Sequence, residues 1–393
     1  MITRNTFIVK FIVYFYLIYL ALTVAGTLLI NYTPLSVYTY IYYFIYIFSL
    51  LIGVYIGICI KIRIVPAFSI NVDKLLNLLI ILSIITSLIS WILMIKHYGS
   101  IGYIMLHSFD IRTETIGDGI SLVPSSITYL NSVQYCAFIL SLTCYSILKK
   151  TKYIFYIILL FIVIVISDLR SFGRVGILFA IFSIISWMLI FKIQIFNLKR
   201  LFSMFFLYFI LMLPRLIRGG FDNFSSSIDN YSSSFLFYIP SFFYGPITVY
   251  IYYFSSLYAF DAIMASDINF TLGIRNFAPI VNLLNNCFHL FDNRIVLIAD
   301  SVNIPFDYNI YHIIGELFFD FSYWGILFFP IMFGVFIGYI FKMKTSFANV
   351  LKVFMLVWIF FTPIYNVFSF GSFFISLALT YLISLFFHVK YES

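Results

Sequence analysis

Ten stretches of this chain are apolar almost without interruption: residues 11–30, 37–60, 75–95, 127–148, 153–167, 175–191, 201–213, 313–341, 353–367 and 373–388. A bilayer core of about 30 Å takes roughly 20 helical residues. Inside it every backbone N–H and C=O must be bonded within the protein, so such runs cross either as helices or as strands of a closed barrel. Barrel strands would be about 10 residues long with strict alternation of apolar and polar side chains. These runs are longer and do not alternate. The fold expected is an all-α polytopic integral membrane protein with about 10 transmembrane helices.

Composition closes off the alternatives. Hydrophobic residues make up 63% of the 393 positions and charged residues 10%, whereas soluble domains sit near 45–50% and about 25%. A chain this apolar cannot cover itself with polar surface, which excludes a soluble enzyme, a disordered chain and a secreted disulfide scaffold. Cys59, Cys136 and Cys144 lie in or beside apolar runs and Cys287 in a polar stretch, with no CxxC or Cys/His ligand spacing. No metal site and no cofactor are expected. The basic residues fall in short clusters between apolar runs, so they read as topology signals rather than as a nucleic-acid surface. No cleavage site follows Ile30, and the first run is read as an uncleaved span.

Lysines and arginines orient the spans. With the N-terminus inside, the inner segments hold 15 of the 23 basic residues and two acids, Asp73 and Glu392; the outer segments hold eight basic residues and 13 acids. That asymmetry predicts both termini in the cytoplasm. One apolar segment, residues 235–260, carries Pro240, Gly245 and Pro246 and is rich in tyrosine. Counted as a crossing, it would put Lys342, Lys344 and Lys352 outside, so it is read as an interfacial or re-entrant piece. The chain is then a single polytopic membrane domain, 1–393, with one long outer (periplasmic) loop at 214–311.

The cations differ between the two faces. Inside, 12 of 15 are lysine; outside, seven of eight are arginine. Arginine keeps its charge when partly dehydrated and grips phosphate or carboxylate with a planar fork. Two pairs stand at outer helix ends. Arg170 and Arg174 sit in a turn that two helices of about 20 residues leave no room to lift into water, with Asp168 able to neutralise one of them. Arg215 and Arg218 follow Pro214, with Gly219 and Gly220 allowing close backbone approach to a ligand. A third constellation is His312 and Glu316, four residues apart on one helical face and expected near the outer membrane boundary, followed by Asp320. Neutral imidazole or a carboxylate there would accept a proton from a hydroxyl group; the base expected is His312, with Glu316 orienting it or pairing an arginine.

Ten or so spans, arginines at outer helix ends, one long outer loop late in the chain, and the stretches Ser171-Phe-Gly-Arg174-Val-Gly, Arg218-Gly-Gly-Phe-Asp-Asn and Glu316–Gly334 together resemble the bacterial O-antigen polymerases of the Wzy type. The resemblance implies a membrane-embedded, GT-C-like, inverting and metal-independent glycosyltransferase. It would polymerise undecaprenyl-diphosphate-linked oligosaccharide repeat units into O-antigen or a similar surface polysaccharide on the periplasmic face of the bacterial inner membrane. On that reading His312 and Glu316 are catalytic, and Arg170, Arg174, Arg215 and Arg218 bind the substrate diphosphate. The implied partners are the lipid-linked oligosaccharide, membrane lipid, and a chain-length regulator and flippase of the same pathway, with no nucleic acid. Two alternatives stand beside it, an O-antigen ligase and a lipid-linked oligosaccharide flippase or transporter.

Overall fold

The computed structural model describes residues 2–61, 68–108, 110–111, 123–171, 173–193, 244–266, 270–288, 302–304, 307–308, 310–345, 347–364 and 371–390. In chain order the helices are α1 Ile2–Ala25, α2 Val37–Cys59, α3 Val72–Tyr98, α4 Ile101–Leu106, α5 Ser125–Asn131, α6 Val133–Leu148, α7 Lys152–Ser171, α8 Val175–Ile190, α9 Tyr244–Phe254, α10 Ser256–Met264, α11 Ala278–Phe288, α12 Ile313–Lys342, α13 Ala348–Phe361 and α14 Gly371–Phe386. Four short strands join them: β1 Phe68–Asn71, β2 Val302–Asn303, β3 Asp307–Tyr308 and β4 Phe387–Lys390. Among the described residues, six helical stretches are long and apolar enough to cross a membrane, and three more, Val175–Ile190, Ala348–Phe361 and Gly371–Leu385, are apolar but shorter. The protein is a multi-pass, helical membrane protein. The expected span at 201–213 lies outside the described residues.

The chain divides into two compact units. One comprises Met1–Ile62, Phe221–Met343 and Trp358–Gly371; the other comprises Arg63–Gly220, Lys344–Val357 and Ser372–Ser393.

The second unit is organised around α6, whose residues Val133–Cys144 are all buried. Helix α3 starts where the Asn71 side chain accepts the N–H groups of Asp73 and Lys74, an N-cap. It then places Ser83, Thr86, Ser87 and Ser90 in its buried set, at the three- and four-residue spacing that aligns side chains on one helical face. Thr86 donates to Asn131 Oδ1 (3.1 Å), Asn131 Nδ2 donates to Ser167 (3.2 Å), Ser167 donates to Gln134 Oε1 (3.3 Å), and Ser87 meets Ser167 at 3.3 Å. In lipid, where apolar contact gives no preference for protein over solvent, such bonds and small side chains tie helices together. A parallel pairing of β1 with β4, Phe68 opposite Phe387 and Asn71 opposite Lys390, holds the end of α14 to the start of α3.

The first unit is built on α2 and α12. Gly53 and Gly57 on α2 face Gly334 and Gly338 on α12. A Cβ on Gly334 would stand 2.7 Å from the Val54 nitrogen and 2.8 Å from the Gly53 Cα; one on Gly57 would stand 2.8 Å from the Tyr339 nitrogen. Backbone therefore lies on backbone, the small-xxx-small contact that membrane helices use. The contacts rise together in number along both helices, so the pair is parallel.

Helix α12 is not the single span that its sequence predicts. Ser322 has φ 54° and ψ −148°, which interrupts the helix. A Cβ on Gly325 would meet the Leu317 carbonyl carbon at 3.0 Å and the Phe321 Cβ at 3.1 Å. Residues 317 and 325 would be about 12 Å apart along a continuous helix; here the chain has folded back. Residues 323–342, about 30 Å of helix, are enough to span on their own, and residues 313–321 form a separate leg beside them. Non-helical backbone of this kind is tolerated at membrane depth only where protein buries it or it lines a wet cavity.

The described part of the segment 235–260 is also broken. Helices α9 and α10 meet at Ser255, and their partners lie toward one end of the α1–α2 pair. Ile247 and Ile251 cluster with Ile30, Tyr250 donates to the Leu22 carbonyl, Tyr19 meets Ser256 at 2.8 Å, and Asp261 accepts the Ser36 N–H at 3.0 Å. The path runs along α1 as far as Tyr19 and returns to the start of α2.

Candidate functional site

The break in α12 brings together buried polar groups in the first unit. Ending a helix at residue 321 strips the last carbonyls of their partners. The turn at residues 271–276 supplies them: Thr271 N–H donates to Phe319 O and Leu272 N–H to Asp320 O, both at 3.0 Å. That turn needs positive φ at Leu272 (49°) and Gly273 (93°). The Asp320 carboxylate, with no exposed surface, completes the join. It accepts the backbone N–H of Arg275 (3.1 Å) and of Asn276 (2.6 Å), the Asn276 side-chain amide and the Thr271 hydroxyl. A carboxylate with this many donors is held in one place.

Arg275 is thereby aimed. Its Nε donates to Glu316 Oε2 at 2.5 Å, and its guanidinium carbon lies 4.2 Å from the Phe319 ring centre and 5.5 Å from that of Tyr311. Using Nε on Glu316 leaves the two terminal nitrogens of the fork, four N–H donors, outside that ion pair. The cation–π contacts and the ion pair fix the plane of the fork before anything binds.

His312 stands one turn before Glu316 but in different surroundings. It is the N-cap of α12: its Nδ1 accepts the Ile314 N–H at 3.3 Å, while Ile313 N–H donates to the Thr362 carbonyl at 2.8 Å. The ring is fully buried. Tyr19, Tyr43, Tyr46 and Tyr16 surround it at 5.4, 5.8, 6.0 and 6.3 Å between ring centres. Tyr16 and Tyr19 lie in the middle part of α1, and Tyr43 and Tyr46 lie six and nine residues into α2. His312 was expected near the outer boundary of a continuous span; because the helix folds back, it sits instead well along the α1–α2 pair. Its Nε2 is buried and has no hydrogen-bond partner among the described residues.

Of the four arginines singled out from sequence, Arg170 and Arg174 belong to the second unit and flank the turn between α7 and α8. Arg170 occupies the last turn of α7, where a cation complements the helix dipole, and its Nε is buried without a partner among the described residues. Arg174 is the residue preceding α8. Asp168, expected to neutralise one of them, also caps α8: Oδ1 accepts Gly176 N–H (3.2 Å) and Oδ2 accepts Ile177 N–H (2.7 Å). Gly176 is required there, since a Cβ would come within 2.7 Å of Asp168 Oδ1 and 2.8 Å of the Tyr135 hydroxyl oxygen. Arg215 and Arg218 lie outside the described residues.

Sequence reasoning missed Arg275, Asn276 and the four tyrosines. Arg275 gave one signal, its place two residues after Gly273 in a loop otherwise read only for charge. No family model, curated protein or solved structure matches this chain.

Proposed function

We propose that the chain is a membrane-embedded glycosyltransferase that polymerises lipid-diphosphate-linked oligosaccharide repeat units, an O-antigen-type polymerase of the bacterial inner membrane with about ten spans and both termini in the cytoplasm. The observation that carries this reading is the Arg275–Glu316 pair: a buried fork set for an oxyanion, one hydrogen bond away from a carboxylate. Transfer of a glycan from a lipid diphosphate needs both parts. As the anomeric carbon–oxygen bond breaks, charge builds on the diphosphate, and donors already in position stabilise it without reorganising. The attacking sugar hydroxyl must lose a proton to a nearby base, for which His312 and Glu316 are the candidates. Arg170, Arg174, Arg215 and Arg218 are proposed as further diphosphate ligands. Lipid-linked oligosaccharide is the substrate, and a chain-length regulator and a flippase are the proposed partners.

A second reading has its own support. Discontinuous helices with charged residues at the break also mark the substrate sites of transporters, so a lipid-linked oligosaccharide flippase is the alternative. Purified protein given lipid-linked repeat units separates the two: a polymerase yields a ladder of longer glycans on one lipid. A flippase yields no ladder but moves the unit across proteoliposomes. In cells, loss of the gene should collapse the lipopolysaccharide ladder to core plus a single repeat; bare core would point to a ligase or flippase instead.

A further inference from the structure

His312 and Glu316 are both candidates for the base, and the geometry separates them. The Nδ1 of His312 accepts the Ile314 N–H, so Nδ1 carries a lone pair and not a proton. In a neutral imidazole the single proton then resides on Nε2, which becomes a donor. Moving that proton to Nδ1, so that Nε2 could act as a base, would set Nδ1–H against the Ile314 N–H. That arrangement breaks the cap in a place where water cannot replace it. Accepting a second proton to become imidazolium is also opposed, because the ring is buried among tyrosines and no ion pair is formed by it among the described residues. Glu316 has the opposite profile. Oε2 is held by Arg275 while the side chain keeps about 15% of its surface exposed, leaving Oε1 as an acceptor.

We propose that His312 is a positioning residue that fixes the start of the folded-back leg, and that Glu316 Oε1, one turn later, takes the acceptor's proton. This rests on the polymerase reading. In the step, the acceptor hydroxyl oxygen forms a bond to the anomeric carbon of the donor glycan and its proton passes to Glu316. The bond from that carbon to the diphosphate oxygen breaks, with the electron pair leaving on the lipid diphosphate.

The test uses full-length purified protein with lipid-linked repeat units. His312→Asn keeps a capping acceptor but no basic nitrogen, since asparagine is among the best N-caps. It should retain kcat within about three-fold of the parent, with the acid limb of the pH–rate profile unmoved. His312→Ala, lacking the cap, should lose ten-fold or more together with thermal stability. Glu316→Gln should lose a hundred-fold or more while still binding the lipid-linked donor. A folded His312→Asn protein that is inactive, or that loses the acid limb, overturns the proposal, as does near-parental turnover in Glu316→Gln. The capping role has a readout that needs no activity. In protein whose other four histidines (His97, His107, His289 and His388) are replaced by glutamine, ¹⁵N-histidine NMR should show a fixed Nε2–H tautomer that does not titrate across about pH 5–8. A titrating ring overturns it even if the asparagine variant fails to fold. Absence of any polymer from the parent protein, with the tautomer fixed, would defeat the polymerase reading and leave the cap standing.

Discussion

The contact between α2 and α12 is the feature on which the first unit most depends, and Gly334→Ala tests it directly. The added methyl carbon would lie 2.7 Å from the Val54 nitrogen and 2.8 Å from the Gly53 Cα. Comfortable separations for such atoms are about 3.5–4.0 Å. The helices must therefore part by close to an ångström along a face where backbone touches backbone. Overpacking of this kind costs about 1–3 kcal/mol, against which alanine returns about 1 kcal/mol of helix propensity. The net expectation is a loss of up to about 2 kcal/mol, a lowering of the unfolding midpoint by up to a few degrees for a protein of this size. Thermal unfolding in detergent, followed by tryptophan emission, measures it. Gly102→Ala is the control, because its new methyl would have only the Ser100 hydroxyl within 4 Å, at 3.9 Å, and should be neutral or mildly stabilising. If the two variants unfold at the same temperature, the close approach of α2 and α12 is not what holds this unit, and the argument from the four glycines fails.

Two further outcomes are expected. On the proposed polymerase function, Arg275→Lys should cost about 1.5–3 kcal/mol of transition-state stabilisation, ten-fold or more in polymer formed per unit protein, because a point charge cannot reproduce the fork; Arg174→Lys and Arg215→Lys should each lose most polymerisation at normal protein level. Full activity in the lysine variants would reduce these sites to diffuse positive charge. Ser322→Gly should raise the unfolding midpoint, since the φ of 54° with ψ of −148° is a conformation that only glycine adopts without strain, costing about 1–3 kcal/mol otherwise; a lower midpoint would show that the serine side chain, not the backbone, governs the turn.

What the sequence made legible was periodicity and end chemistry. Residues 37–60 and 75–95 read as spans because their apolar runs are long enough, and Asn71 sits where the helix over 72–98 begins. The turn carrying Arg170 and Arg174 was legible from length alone, since two spans consume the residues around it. The fold-back of α12 was not. Residues 313–341 are apolar apart from Glu316, Asp320 and Ser322 in their first third, and the break falls at that serine, with no proline or glycine at that position to mark it. The site stayed hidden for the same reason. Arg275 and Glu316 are 41 positions apart, and only the carbonyls freed at residues 319 and 320 give the turn at 271–276 a place to dock. Reading His312 and Glu316 as one helical face could not show that His312 stands before the helix as its N-cap, its side chain already spent on Ile314.

The direction of α12 bears on the topology as a whole. Gly53 faces Gly334, and Gly57 faces the backbone of Val335 and Tyr339, so α2 and residues 323–342 run in the same sense. Two parallel crossings in one chain must be separated by an odd number of others. On the proposed topology the runs 75–95, 127–148, 153–167, 175–191 and 201–213 make five. Adding 235–260 would make six and turn α12 antiparallel to α2, at odds with the glycine contacts. The return of α9 and α10 to the α1–α2 end from which they set out agrees with that segment not crossing. On the proposed topology the same parity keeps Lys342, Lys344 and Lys352 on the side where the other lysines collect, the side that the charge rule assigns to the cytoplasm. Single cysteines at Asp229 and Asp300, on either side of the segment, should therefore be labelled by the same membrane-impermeant reagent from the same face in intact cells. Labelling from opposite faces would make 235–260 a true crossing and would require a different count elsewhere between α2 and α12.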